Sequence, residues 1–311
     1  MKVFARCRTI YDKNAGRIPY NRNIAIAIEG FHEMSFEIHF YDTVDEIYDL
    51  YEKGDVVLDG IDQVEYCLNK FGFQFPQMDY PECLEKYLGR KIWKDTINNI
   101  NSHPELWGNF VKPVKEKRFT GKIINNSNDL IGCGSCYEDY EVFVSEPMDF
   151  VYEVRGTVYY DQLVDLRPYH GSWEYMNTID TNVIKQAMID WKTWEDRPNS
   201  CTLDWGVVKT KANVETEFNP VYKEENKDRN VSNYTWTFAK PICEKKNNYK
   251  DISRYTAKED VYKTVLVEAN FGCCYGPYST NAINYAKMIS AAISQVSGTE
   301  DECYFGSIIK P

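Results

Sequence analysis

The stretch FVYEVRGTVYYDQLVDLRPY, residues 150–169, decides the fold. It reads as two β-rich arms meeting at Tyr159, Tyr160 and Asp161. Side chains on a strand alternate between faces, so Glu153 and Arg155 share one face of the first arm. If Tyr160–Gln162 make a three-residue loop, Arg155 falls directly opposite Arg167 on the second arm; a two-residue turn breaks that opposition. Like charges facing across a sheet destabilise it unless something neutralises them. A phosphate or carboxylate would do so, and the planar fork of arginine suits both. Spacing alone equally admits two arginines satisfied by Glu153 and Asp165.

Further along, CTLDWG (201–206) sets Asp204 among apolar strand residues. A buried carboxylate has to be paired or bound to a metal. In KTVLVEANFGCCYGPYSTNA (263–282), Leu266, Glu268 and Asn270 share a strand face. A carboxylate and an amide two apart suit Mg²⁺, which takes oxygen ligands; the plain alternative is an edge strand with solvated polar residues. Asp204, Glu268 and Asn270 together make a better metal set than any one of them. The intervening tract, about 210–262, is rich in Lys, Glu, Asn and Asp. A structureless loop of that length is out of place in a compact domain, so an inserted subdomain or a lid is expected.

Upstream, NFVKPVKEKRFTGKII (109–124) ends a strand at Lys112 before Pro113. No G-x-x-x-x-G-K-[ST] occurs anywhere, which excludes a P-loop. Lys112 can hold nucleotide phosphates, or the hairpin is merely basic and solvated. The segments GNFVKPV, GKIIN, EVFVSEP, FVYEVRGTVYY and QLVDLRPY together predict an antiparallel sheet. TNVIKQAMIDWKTW and NAINYAKMISAAISQV predict helices. Before residue 75, KVFARCR, FEIHFY and DVVLDG read as strands. TVDEIYDLYEKG, capped by Thr43, and IDQVEYCLNKFG, ending at Gly72, read as helices. That alternation predicts a small α/β domain. FQFPQMDYPE then reads as a linker, and CLEKYLGRKIWKDTINNI as a helix.

The bulk composition bounds the function. With 311 residues and a net charge of −11, the chain is no generic nucleic-acid binder. No stretch approaches the roughly 18 apolar residues of a membrane span, and the N-terminus lacks an apolar signal region. A cytoplasmic protein with no membrane partner is expected, its ten cysteines reduced. Cys133-x-x-Cys136 has no second pair at zinc-finger spacing. Adjacent Cys273 and Cys274 are poorly placed to ligate one ion together. The four histidines, His32, His39, His103 and His170, sit in no motif that would activate a thiol.

The ordered set of Lys112, the hinge-like VSEPMDFVYE, Arg155, Arg167, Asp204 and the Glu268-x-Asn270 pair resembles the ATP-grasp superfamily. FVKPVKEKRFTG, YEVRGTVYY and LVDLRPY are similar, more narrowly, to its R2K clade of bacteria and phages, family 3. The resemblance implies an α+β, ATP-grasp fold in which two lobes sandwich ATP, preceded by a small α/β pre-ATP-grasp domain. The implied boundaries are 1–78 for that domain, 79–104 for a linker and helix, 105–145 for the N-lobe and 146–311 for the C-lobe with its insertion. It implies ATP and two Mg²⁺ ions. Lys112, Lys117, Glu146, Met148 and Glu153 would hold the nucleotide, and Asp204, Glu268 and Asn270 the metal. Arg155, Arg167 and Lys209 would be catalytic. The implied reaction joins a small-molecule or peptide carboxylate to an amine through an acylphosphate. A phosphotransferase and an inactive nucleotide-binding protein are the alternatives. Two positions depart from the family pattern: Thr202 stands where most relatives carry arginine, and Lys209 lies at odd spacing from Asp204, on the opposite face of a regular strand.

Overall fold

The computed structural model describes residues 1–9, 16–115, 118–133, 138–218 and 253–304, with backbone only at 9, 212–218 and 253–259. Lys117, Cys136 and most of the 210–262 insertion therefore lie outside the described side chains. Two compact units divide the chain, residues 1–209 with 262–311 and residues 210–261.

The N-terminal sheet is built on β1 (Val3–Thr9). It pairs in parallel with β3 (Ile38–Tyr41) and β4 (Val56–Leu58) and antiparallel with β2 (Arg17–Pro19). Its helices are α1 (Arg22–Glu33), α2 (Asp45–Tyr48) and α3 (Ile61–Asn69). The second sheet has the order β5 (Ile92–Thr96), β8 (Glu141–Ser145), β6 (Phe110–Pro113), β7 (Lys122–Ile123), with α4 (Ile97–Ser102) following its first strand. The third has the order β10 (Gln162–Gly171), β9 (Phe150–Tyr159), β11 (Ser200–Phe218), β12 (Ser253–Phe271), with helices α5 (Thr181–Trp191) and α6 (Ala282–Ser297). The strands expected to form one antiparallel sheet thus divide between two, because β8 turns back onto β5 and β6 while β9 starts a new sheet.

Two helical expectations are corrected. CLEKYLGRKIWKDTINNI is a 3₁₀ turn (Glu82–Tyr87), then strand β5, then α4. Gly89 at φ +64° ends the first turn, and hydrogen bonding to β8 outweighs local helix propensity. TVDEIYDLYEKG forms only the four residues of α2, and Thr43 does not cap it; Glu46 instead accepts from the Thr43 backbone N–H. The α1 segment, which no periodic reading singled out, is a full helix whose N-cap Asn21 accepts from the Ile24 N–H at 2.9 Å.

Helix α6 is buried almost all round, as its small residues allow. It lies so close to α1 that a Cβ on Gly30 would come within 2.0 Å of the Ala282 carbonyl oxygen. The N-terminal and third sheets accordingly share one continuous core, whereas the second sheet has its own around Ile97, Ile100, Val111 and Val144. Among the described residues, no helix is long and apolar enough to cross a membrane.

Candidate active site

The hairpin β9–β10 fixes the site. Its loop is the two-residue turn Tyr160–Asp161, both residues at positive φ, and Tyr159 pairs with Gln162. That turn alone would move Arg167 out of line. One residue later Val164 bulges from β10, the register shifts by one, and Arg155 faces Arg167 after all. Opposition of the arginines is as expected; the expected three-residue loop is not what produces it.

Each arginine has a carboxylate. Arg167 Nε lies 2.7 Å from Asp165, two residues away on its own strand. Arg155 is served not by Glu153 but by Asp204, its direct cross-strand partner on β11. Nε donates to Oδ1 at 2.8 Å and Nη2 to Oδ2 at 2.7 Å, a bidentate pair with Arg155 8% and Asp204 1% exposed. The guanidinium beside Asp204 therefore comes from the neighbouring strand, β9, and not from position 202. Burial pushes the Asp204 carboxyl above its usual range more than Arg155 pulls it down, and Glu268 and Glu153 push the same way. One step along the same face, Thr157 and Thr202 are paired and fully buried, and neither hydroxyl finds a hydrogen-bond partner among the described residues.

A second cluster joins two sheets. Lys112, on β6, reaches Glu268 on β12 at 2.8 Å and Asp79 in the linker at 2.7 Å. Tyr80 and Phe143 lie under its ammonium, with ring centroids at 4.7 and 5.8 Å. Burial alone would depress the lysine, but Glu268, Tyr80 and Asp79 hold its pKa raised. Burial likewise works against the charged Glu268, yet Lys112 and then Asn270 hold that carboxyl below its ordinary value. Asn270 Nδ2 donates to Glu268 Oε1 at 3.2 Å. Arg90 fastens the linker side by donating to the Leu266 and Val267 carbonyls of β12 at 2.9 and 2.8 Å.

Over the guanidinium of Arg155 lies a tyrosine roof. Tyr169 and Tyr278 stack at 5.1 Å, and Arg155 sits 4.8 Å from Tyr278, 5.6 Å from Tyr169 and 5.8 Å from Tyr275. Arg155 Nη1 also donates to the Gly276 carbonyl at 3.3 Å. Tyr169 donates to Glu153 at 2.6 Å, and His170 lies 3.0 Å from the other Glu153 oxygen.

The other expected residues lie further out. Glu146 is exposed and accepts from the Lys91 N–H at 3.0 Å, tying the end of β8 to the start of β5; Met148 is half-buried beside it. Lys209 is exposed, its ammonium 6.0 Å from the ring of Tyr175 and 5.9 Å from that of Tyr262. The one register shift between β9 and β11 skips a β9 residue, so β11 itself stays regular and Lys209 keeps the face opposite Asp204.

Among the described residues no group of three or more His, Cys, Asp or Glu is arranged to hold a metal ion. Asp204, Glu268 and Asn270 nevertheless offer only oxygen donors and two negative charges, the chemistry of a hard divalent cation. Asp79, Tyr80, Arg90 and the three roofing tyrosines escape sequence reading, because their partners lie on segments far away in the chain. The acid in QMDYPE gives no local sign that it will meet Lys112.

Two antiparallel sheets that carry a lysine, paired acids and opposed arginines define the class: the fold is ATP-grasp. Residues 87–236 match the family model described as the ATP-grasp domain, R2K clade family 2. Family 2 corrects the family 3 expected from the motifs. Similar solved structures include D-alanine–D-alanine ligase from Bacillus anthracis complexed with ATP, at 13% identity over 66% of this chain and 81% of that one, with a TM-score of 0.36. The macrocyclase MdnC bound with precursor peptide MdnA, from Microcystis aeruginosa MRC, is 13% identical over 93% of this chain and 99% of that one, with a TM-score of 0.39. The ATP-grasp ligase PsnB complexed with minimal precursor is 12% identical over 66% and 85%, with a TM-score of 0.34. At these identities and scores nothing about substrate follows. No curated protein sequence matches the chain.

Proposed function

We propose that the protein is an ATP-dependent ligase that joins a carboxylate to an amine by way of an acylphosphate, with a small molecule or peptide as substrate. The observation that carries this reading is the meeting of Lys112 and Glu268 from two different sheets beside the buried Arg155–Asp204 pair, within a segment that matches the ATP-grasp domain.

In this reading residues 1–78 are the pre-ATP-grasp domain, and the two lobes follow, with β5 adding to the first. Asp204, Glu268 and Asn270 would hold Mg²⁺, which supplies charge neutralisation at the β- and γ-phosphates. Lys112 exchanges its two carboxylates for phosphate oxygens. Arg155 and Arg167 stabilise the transferring phosphoryl group and orient the acceptor carboxylate. Glu146 and the backbone at Met148 meet the adenine side. Glu153, held by Tyr169 and His170, would meet the ribose hydroxyls. No protein nucleophile is needed.

The test is ATP turnover with Mg²⁺ and pooled amino acids and peptides, followed by mass spectrometry. A ligase yields ADP, inorganic phosphate and a conjugate that has lost water. Phosphate left on the acceptor identifies a phosphotransferase instead. Glu268→Gln should lower turnover by about 10³-fold, as loss of a metal-binding charge does. Near-wild-type turnover in that variant rules out the metal assignment.

A further inference from the structure

Cys273 and Cys274 take no part in the proposed chemistry, yet their arrangement is specific. The two sulfurs lie 3.4 Å apart. They line a cavity of about 140 Å³ together with Asn21, Asn23, Asp59 and Tyr275. Cys274 is the less buried of the two, and its backbone sits at φ +62°, a left-handed conformation uncommon for cysteine. The loop is anchored on both sides of the pair. Before it, Gly272 packs so tightly on β11 that a Cβ there would lie 1.8 Å from Ser200 Oγ. After it, Tyr275 donates to the Met288 sulfur and accepts through its carbonyl from the Tyr285 hydroxyl at 2.7 Å. The next residue, Gly276, gives its carbonyl to Arg155.

We infer that Cys273 and Cys274 form a redox-active vicinal dithiol, a modification site for small peroxides, whose closure to a disulfide disturbs the loop that roofs Arg155. The first step is attack of the Cys274 sulfur on hydrogen peroxide, forming an S–O bond, breaking O–O and releasing water. Cys273 then attacks that sulfur, forming S–S and breaking S–O; its proton leaves with the oxygen as a second water. The two electrons lost by the thiols reduce the one peroxide, so no other reductant is involved. The cavity gives an oxidant of this size access to Cys274.

Closure has to draw the sulfurs from 3.4 Å to about 2.05 Å. Neighbouring Cα atoms are about 3.8 Å apart, below the ordinary span for a disulfide of about 4.4 Å or more. The bond is therefore strained and easily reduced, as a reversible modification requires. Because Gly272 cannot move toward β11, the distortion passes forward to Tyr275 and Gly276. The hydrogen bond between the two sulfurs, together with burial, holds the Cys274 thiol protonated, so the first step is slower than at an exposed thiolate and calls for prolonged exposure.

The experiment treats the reduced full-length protein with hydrogen peroxide, alkylates it under denaturing conditions and maps the cysteines by mass spectrometry. The peptide carrying both residues should escape alkylation at both, weigh two hydrogens less, and recover both thiols with dithiothreitol. Two alkylated thiols there, or oxygen added to Cys274 with no bond to Cys273, overturns the inference. Hydrogen exchange over residues 271–281 should rise on oxidation, and unchanged exchange overturns the coupling to the Arg155 roof. These readouts do not depend on ligase activity; the functional consequence does rest on that reading. Where ATP turnover is found, oxidation should lower it roughly tenfold or more, since displacement of a positioned group by about 1 Å costs up to ~10²-fold. Cys273→Ser should keep basal turnover and lose peroxide sensitivity; sensitivity retained in that variant overturns the assignment.

Discussion

Asp204 is the residue on which the third sheet turns. It is buried on a central strand, and its charge is tolerated because both its oxygens meet Arg155 directly across the ladder. Breaking a buried pair strands the remaining charge, so Asp204→Asn should cost about 3–5 kcal/mol in urea denaturation. An apolar replacement of both partners, Arg155→Met with Asp204→Leu, should regain most of that stability while remaining inactive. A double variant as unstable as the single one would mean the pair contributes more than mutual neutralisation. The need for a partner was legible in CTLDWG, since a carboxylate between Leu203 and Trp205 is a conspicuous conflict. Which partner was not legible, because the register between residues 155 and 204 depends on how two strands distant in sequence align. Glu268 and Asn270 were legible by the alternation of VLVEAN, whereas Asp79, the other carboxylate on Lys112, was not.

At the scale of the element, the β9–β10 hairpin carries an unusual turn. Two-residue hairpin loops favour positive φ at both positions, normally supplied by Asn or Gly. Here Tyr160 and Asp161 adopt φ of 41° and 67°. Their side chains are clamped from outside: Tyr160 donates to Asp301 at 3.0 Å, and Arg197 grips Asp161 through Nε at 2.6 Å and Nη2 at 2.7 Å. The Arg197 hydrogen bonds hold the Asp161 carboxyl below its usual range, against a smaller opposing effect of burial. A depressed folded pKa means the stabilisation is fully present above the unfolded value of about 3.9 and is lost as pH falls through the folded one. Arg197→Met should therefore cost about 1 kcal/mol near neutral pH, and the gap between variant and wild type should close below about pH 4. A gap independent of pH would show that Arg197 acts through packing alone. The turn shows the reach of a sequence reading: the hairpin and the facing arginines are visible in FVYEVRGTVYYDQLVDLRPY, but the bulge at Val164 that aligns them is a tertiary outcome.

On the scale of the whole described unit, α1 against α6 binds the N-terminal sheet to the third sheet, and the contact depends on Gly30. Gly30→Val should lower stability by roughly 2–3 kcal/mol through overpacking and loosen residues 1–78, seen as faster proteolysis in that segment. A variant as stable as wild type would show that the two helices can slide apart freely. The cluster between the second and third sheets has an electrostatic consequence of its own. Lys112 and Arg155 face Asp79, Glu153, Asp204 and Glu268, so even with Arg90 added the cations do not balance the acids. Electroneutrality then works against a bare polyphosphate: a nucleotide would enter accompanied by its divalent cation or hardly at all. Equilibrium dialysis of a non-hydrolysable ATP analogue should show retention with Mg²⁺ and at least tenfold weaker retention in chelator, since about 1.4 kcal/mol of unscreened repulsion suffices for that factor. Equal retention in both would place the anion elsewhere on the molecule. On the proposed reading the acid-rich cluster would act as a coincidence detector, in which metal and nucleotide each make the other's arrival possible.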